Sequence, residues 1–381
     1  MLKITQKEVV DALDTASHLI RSNLKDFTYH CQNHSSVNNV YPRCENNQWT
    51  CGFWPGEVFL AYVYTQDEVF LKTSHILVDS FLHRIENKVE VDHHDMGFLY
   101  SPSCVSVYSA TGSLKAKTAA ILASDQLLTR FQEKGNFLQA WGKMGEVENY
   151  RFIIDCLMNL PLLYWATEET GDETYRTIAR KHTATCLSYS FRSDGSTFHT
   201  FFMDPNTGNP VRGETCQGYA ADSSWARGQA WGVYGLALSY RYTKDPACIM
   251  QFEKAANYYL SRLPEDLIPY WDLIFVEGEE PRDSSSASIV ACGFLEMAPF
   301  LDGEKSAYYT AWAKKMVKSL YDSYRVKDHA LSNGLVLHGT YSKKSPFNTC
   351  TPEGVDECVS WGDYFFMEAL MRLNGTWKSF W

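Results

Sequence analysis

The sequence predicts an all-α protein, an (α/α)6 barrel of two concentric helix rings with short β-hairpins confined to its loops. Three features predict it. Apolar, aromatic-rich runs alternate with amphipathic, charged runs. A short turn separates the two members of each pair. Long loops rich in Gly, Asn, Asp and Ser join one pair to the next. The turns recur irregularly, roughly every 45 to 75 residues, near the range in which repeat architectures occur.

The first apolar run, FWPGEVFLAYVYT at 53–65, is apolar nearly all round. A helix of that kind is buried on all sides. Pro55 suits its first turn, where a missing N–H is no loss. Tyr64-Thr65-Gln66-Asp67 ends it, and Ala110-Thr111-Gly112-Ser113 is a second turn of the same kind. CLMNLPLLYWATEET at 156–170 is again apolar and closes at Glu169-Thr170-Gly171-Asp172. Pro161 lies inside that run and is expected to kink it. ETYRTIARKHTATCLSYSF at 173–191 carries a polar stripe and reads as an outer helix with one face in water. SDGSTFHTFFMDPNTG at 193–208 suggests short hairpins. WGVYGLALSYRYT at 231–243, the turn Tyr242-Thr243-Lys244-Asp245 and QFEKAANYYLSRL at 251–263 repeat the pairing. Leu301-Asp302-Gly303 is a weaker fifth turn. Buried helix, turn and surface helix, repeated about six times, give the barrel pattern; an open α-solenoid gives the same alternation. Loops at 29–48, 192–224 and 339–358 are long, and long loops in compact proteins usually carry function.

With 381 residues the chain is read as one catalytic domain, residues 1–381, since barrels of this length exist. A 45% hydrophobic share permits a large core, and 14% aromatics suit both core packing and stacking on sugar rings. The net charge of −10 argues against a nucleic-acid partner. It also repels an acidic ligand at long range, so such a ligand must meet local cations. Eleven cysteines contain no CxxC pair, and free thiols suit a reducing, cytoplasmic setting. The first twenty residues have no secretory apolar core, and no run is long enough for a membrane span.

No P-loop, GxGxxG, GxSxG or HExxH motif occurs. What remains is a set of polar residues at the starts of the apolar helices, which a helical barrel would gather at one end. Asp95, in His93-His94-Asp95-Met96, is either a helix N-cap or a chemical group. A metal reading of that triplet lacks a partner at ligand spacing. Asp155 sits in Arg151-Phe152-Ile153-Ile154-Asp155-Cys156-Leu157-Met158-Asn159, with apolar residues on both sides. Burial would raise its pKa and suit it to general-acid work, unless Arg151 or Asn159 pairs with it. In the segment 217–231, Trp225 and Trp231 flank Arg227. Such an arginine binds a carboxylate or packs its stem on the rings. His199, Trp49 and Trp141 are single loop residues for which ordinary packing is the simple reading.

Taken together these segments resemble the unsaturated glucuronyl hydrolases, glycoside hydrolase family 88. The resemblance rests on Trp49-Thr50-Cys51-Gly52-Phe53-Trp54-Pro55-Gly56, His94 to Tyr100, Gln139-Ala140-Trp141-Gly142, the Asp155 segment, the 217–231 segment, Arg282-Asp283-Ser284-Ser285 and Trp361-Gly362-Asp363-Tyr364, in that order. It implies an (α/α)6 barrel and substrates left by polysaccharide lyases, with a C4=C5 double bond in the terminal uronate. It implies Asp155 as general acid and base and Asp95 as its essential partner. It places Trp49, His94, Trp141, His199, Gln217, Trp225, Arg227 and Trp231 in the sugar pocket, with Arg227 and His199 offsetting the substrate's charge.

Two departures stand out. Cys51 replaces a residue that is often acidic or small and polar in the family. In the loop that accepts sulfated sugars in some relatives, Ser342 and Ser345 match but Phe347 takes the place of a lysine, leaving Lys343 or Lys344 as substitutes. No cofactor and no metal are expected, and the expected state is a monomer or homodimer. The rival readings are an unsaturated rhamnogalacturonyl hydrolase acting on pectin fragments, a non-catalytic helical-repeat protein, and an (α/α)6 lyase or ordinary glucosidase. An acid set within an apolar run speaks against the non-catalytic reading, since a scaffold gains nothing from a costly buried carboxyl.

Overall fold

The computed structural model describes residues 2–381, and its helices alternate between an outer and an inner ring. In chain order, α1 (Gln6–Phe27) is outer and α2 (Phe53–Thr65) inner. Next come outer α3 (Glu68–Glu86) and an inner position made of α4 (Met96–Tyr100), one π turn and α5 (Ser106–Thr111). Outer α6 (Leu114–Leu128) precedes inner α7 (Pro161–Thr170), and outer α8 (Glu173–Tyr189) precedes inner α9 (Ala226–Thr243). Outer α10 (Pro246–Ser261) with inner α11 (Ser284–Met297), then outer α12 (Gly303–Ser319) with inner α13 (Ser360–Asn374), complete the rings.

The ring closes on itself. α13 packs against both α1 and α2, with Phe53 and Phe365 at a centroid distance of 5.7 Å. Gln6 Nε2 also donates to Asn374 Oδ1 at 2.7 Å, joining the first helix to the end of the last. An open solenoid has no such contact between its ends, so the structure selects the barrel.

Burial follows ring position. Every residue of α9 from Ala226 to Ser239 is buried, whereas α8 buries little beyond Tyr175, Ala179, His182, Thr183, Thr185 and Cys186. Burying a large apolar side chain contributes about 1.5–3 kcal/mol, so the inner ring holds most of the stabilising area.

The inner-to-outer turns have a common local cause. Gln66, Gly112, Gly171 and Lys244 adopt left-handed backbone that ends each inner helix. The next residue, Asp67, Ser113, Asp172 or Asp245, caps the outer helix with its side chain. At the fifth turn Asp302 caps α12 in the same way. All tight turns therefore lie at one end of the barrel. The long outer-to-inner loops lie at the other, beside the N-termini of the inner helices.

Two inner positions differ from the simple pattern. The apolar run at 156–170 is helical only from Pro161, which heads α7 rather than kinking it. Residues Ile154–Met158 form a 3-10 turn instead, because a proline without an N–H cannot carry an α-helix through itself. At 101–105 the chain widens into a π turn around Pro102.

Short antiparallel pairs decorate the loops: β1 (Cys31–Gln32) with β2 (Arg43–Cys44), and β3 (Phe131–Gln132) with β4 (Phe137–Leu138). β5 (Arg151–Ile153), β6 (Thr200–Met203) and β7 (Pro210–Glu214) form a three-stranded sheet, and β8 (Gly339–Ser342) pairs with β9 (Glu353–Glu357). Of the segment 193–208 expected to form short hairpins, Thr200–Met203 is β6; its hairpin partner β7 lies just beyond it, and β5 extends the other edge. Among the described residues no helix is long and apolar enough to cross a membrane.

Candidate active site

A cavity of about 430 Å³ opens at the end of the barrel where the inner helices begin. Backbone hydrogen bonds align the segments that wall it. His94 N–H donates to the Ala140 carbonyl at 2.9 Å, Ala140 N–H to Arg151 at 3.0 Å, and Ile154 N–H to His199 at 3.2 Å. Asp95, Trp141, Asp155 and His199 each lie on or next to a rung of this ladder. Close backbone approach tightens it. A Cβ on Gly97 would sit 2.4 Å from Asn159 Cα, and one on Gly52 would sit 2.1 Å from the Phe98 carbonyl oxygen. Glycine at these positions lets the loop bearing Trp49 and the turn bearing Asp155 close on α4.

Asp95 occupies the N-cap position of α4, but its side chain caps nothing. Its carboxylate instead lies 3.1 Å from His93 Nδ1 and 3.3 Å from His94 Nε2. Burial pushes its pKa up, but His94, His93 and Asn159 together hold it below the usual carboxylate range. Asp95 is therefore an anion at neutral pH.

Asp155 differs. It stands in the 3-10 turn before α7, and its Oδ1 is buried with no hydrogen-bond partner. Neither neighbour four residues away pairs with the carboxyl. Asn159 Nδ2 reaches Asp155 only at its carbonyl, at 3.4 Å, and its Oδ1 accepts from Phe98 N–H at 2.8 Å. The Arg151 guanidinium lies over the Trp141 ring, 4.5 Å from its centroid. Burial first, and then the negative charge of Asp95, push Asp155 up to about 7, with Arg227 restraining the rise. Two carboxyls on one wall thus hold different protonation states.

His199 Nδ1 accepts hydrogen bonds from Cys216 N–H at 3.0 Å and Gln217 N–H at 3.1 Å. Its proton must then sit on Nε2, which leaves that atom a donor. Burial, then Arg227, Arg151 and His94, push its pKa down to about 3. The expected positive charge at His199 is therefore corrected: the ring is a neutral donor packed at a tilt against Trp225, with ring centroids 4.4 Å apart. His94 is likewise neutral, pushed down to about 4 chiefly by burial. Gln217 donates its amide to the Tyr341 carbonyl at 2.9 Å. Trp49 donates to the Tyr341 hydroxyl at 3.2 Å and stacks on Trp361.

The structure brings Trp49, His94, Asp95, Trp141, Asp155, His199, Gln217, Trp225 and Ser342 to the cavity wall. It does not bring Arg227, Trp231 or Ser345 there. Arg227 is fully buried, with Nη1 on Asp283 at 3.2 Å and on the Thr340 carbonyl at 2.6 Å, and Nη2 on the Tyr341 carbonyl at 2.7 Å. Its charge is matched from within, and Trp225 and Trp361 cover its faces at 4.3 and 4.6 Å. Trp231 packs into the inner ring against Phe98 and Phe365. Ser345 ties its loop to the neighbouring one, donating to the Tyr219 carbonyl at 2.6 Å and accepting from Phe347 and Asn348 N–H.

Sequence reasoning missed Tyr341, Cys216 and the stretch Thr349-Cys350-Thr351 with Glu353, all on the wall. Only the length of their loops marked them. Glu353 lies 2.9 Å from His34 Nε2, whose pKa burial holds low. Neither candidate lysine lines the cavity: Lys343 pairs with Glu280 at 3.0 Å, and Lys344 Nζ donates to the Asn348 carbonyl at 2.6 Å. Phe347 is 62% exposed and packs edge-on to Tyr219. Among the described residues no group of three or more His, Cys, Asp or Glu is arranged to hold a metal ion.

Comparison with known proteins adds the context of this geometry. Residues 22–331 match the family model described as Glycosyl Hydrolase Family 88. An unsaturated chondroitin disaccharide hydrolase of Streptococcus pneumoniae (strain ATCC BAA-255 / R6) is 45% identical over 382 residues, covering 99% of this chain and 95% of its own. The crystal structure of an unsaturated glucuronyl hydrolase from Streptococcus agalactiae superposes with a TM-score of 0.95 at 45% identity, covering 100% of this chain and 95% of that one. An aspartate-to-asparagine variant from the same organism, complexed with dGlcA-GalNAc6S, superposes with a TM-score of 0.87 at 41% identity, with the same coverage.

Proposed function

The chain belongs to glycosyl hydrolase family 88, and on that premise we propose that it removes the terminal C4=C5-unsaturated uronic acid from glycosaminoglycan-derived disaccharides, by hydrating the vinyl ether. The observation that carries the mechanism is the unpaired Asp155 carboxyl, its Oδ1 buried, beside an ionised Asp95.

With a pKa of about 7, Asp155 is substantially protonated at neutral pH. It donates that proton to C4, and positive charge develops at C5, stabilised by the ring oxygen. The carboxylate left behind then takes a proton from the water that adds to C5. The hemiketal so formed opens and releases the remaining sugar. One carboxyl serves both half-steps, so the usual spacing rule for paired carboxylates does not govern the outcome. Asp95 keeps Asp155 protonated by like-charge repulsion and holds the ring through its own oxygens. His199 donates from Nε2, while Trp49 and Trp141 supply apolar faces. Arg227 acts from behind the wall. It is the cation that most lowers the pKa of Asp155, and it fixes Trp225 and the Tyr341 carbonyl.

The loop chemistry favours an unsulfated partner sugar. Both loop lysines are engaged elsewhere, Ser342 donates to the Thr351 carbonyl at 2.8 Å, and Glu353 adds a carboxylate to the rim. Residues 1–381 serve as one catalytic domain. The absence of any disulfide among the eleven cysteines supports a reducing, cytoplasmic setting.

The ultraviolet absorbance of the C4=C5 bond tests this reading. Native protein is expected to abolish the absorbance of unsaturated chondroitin and hyaluronan disaccharides, and to act more slowly on sulfated ones. Asp155→Asn is expected to lower kcat by about 10²–10⁴-fold, the usual weight of a placed acid. Persistent absorbance with the native protein would remove the proposal.

A further inference from the structure

Eight of the eleven cysteines are buried; Cys44, Cys216 and Cys350 are partly exposed. Two of those three, Cys216 and Cys350, lie on the wall of the catalytic cavity. They sit on different loops, laced together in register. Gln217 Nε2 donates to the Tyr341 carbonyl at 2.9 Å, Ser345 Oγ to Tyr219 at 2.6 Å and Asn348 Nδ2 to Gly218 at 2.9 Å. The last rung joins the cysteines themselves: Cys350 N–H donates to the Cys216 carbonyl at 3.1 Å. A direct backbone hydrogen bond keeps two Cα atoms within roughly the 4.4–6.8 Å that a disulfide spans. The Cys350 thiol is lightly held, donating to the Lys343 carbonyl at 3.3 Å.

We propose that Cys216 and Cys350 form a thiol-modification site in the cavity wall, which two-electron oxidants such as hydrogen peroxide convert to a disulfide. The thiolate of one cysteine attacks a peroxide oxygen and displaces hydroxide, giving a sulfenic acid. The second thiol attacks that sulfur, forms the S–S bond and expels the hydroxyl, which leaves as water. Two thiols and one peroxide thus yield one disulfide and two waters. Sulfur is oxidised and peroxide is reduced. The new bond adds a covalent rung to the lacing and fixes loop 343–351 against the segment bearing Gln217. Substrate entry is restricted until a thiol reductant reopens the bond. Partly exposed cysteines on hydrogen-bonded neighbouring backbone can form such transient bonds, which in reducing compartments are usually redox-sensing.

Peptide mapping of the folded protein, before and after brief peroxide treatment, tests the site. Before treatment, iodoacetamide is expected to label Cys216 and Cys350, and unsaturated disaccharide to protect both. After treatment, the peptides holding them are expected to appear joined and lighter by two hydrogens, with loss of activity that dithiothreitol restores. Cys350→Ser is expected to retain its own starting activity through the same treatment, and Cys44→Ser to remain as sensitive as the native chain. Peptides that stay separate and alkylatable after peroxide would overturn the proposal, and so would inactivation of Cys350→Ser equal to that of the native protein. If Cys350→Ser fails to fold, the mapping of native protein still decides. The joined peptides are read without any substrate, so failure of the proposed uronate reading would show only in the protection and activity arms.

Discussion

At the scale of single residues, two carboxyls are driven to different protonation states by their surroundings. Asp155 has no partner and rises to about 7, whereas Asp95 is held below its usual range by His94, His93 and Asn159. The acting form of Asp155 is the protonated one, so kcat/KM is expected to fall as pH rises through about 7. Part of the rise comes from the charge of Asp95. In Asp95→Asn the Asp155 titration, followed by infrared difference spectroscopy, is expected to move to lower pH; an unmoved titration would show that the two carboxyls do not interact. Asp155 was legible in the sequence because its apolar flanks are local. The role of Arg227 was not, because its partners are remote: Asp283 lies 56 residues away and Thr340 113 residues away. Flanking tryptophans left two readings, a cation offered to a carboxylate or an arginine packed on the rings, and the fold turns the residue inward between Trp225 and Trp361.

At the scale of elements, local chemistry accounts for the tight turns and tertiary contact accounts for the rest. Asp67, Asp172 and Asp245 announce their helices because a cap acts within its own turn. The 3-10 turn at Asp155 was signalled only by Pro161, which heads the next helix, and the π turn at Pro102 left no comparable signal of its own. One outer helix carries a separate prediction. His182 on α8 is fully buried, accepts Leu138 N–H from β4 at 2.8 Å, and burial pushes its pKa down to about 3. The unfolded chain binds a proton at His182 that the folded chain refuses. Its stabilisation is therefore complete above about 6.5 and is lost as pH falls toward 3. In that window His182→Gln is expected to reduce the slope of unfolding free energy against pH by about 1.4 kcal/mol per pH unit, read from urea melts. Equal slopes would show that His182 does not stay neutral.

At the scale of the whole molecule, closure is the property that sequence spacing left open. α1 fills the groove between α13 and α2, so the ring has no free end. Deleting residues 1–27 is expected to abolish cooperative unfolding, because two inner helices lose their cover together. A shortened chain that still melts in one sharp transition would fit a solenoid instead. Closure also gathers the inner-helix starts into one cavity, where Asp95, Asp155 and His199 meet from loops far apart in sequence. The central claim, that this cavity protonates C4 of an unsaturated uronate instead of cleaving the glycosidic bond directly, is tested most directly by turnover in deuterated water. Mass and proton spectra of the released uronate, taken at early times before enolisation of its C5 ketone exchanges the second hydrogen, are expected to show one deuterium at C4, with the double bond gone. A product that keeps its double bond and carries no deuterium at C4 would contradict the account.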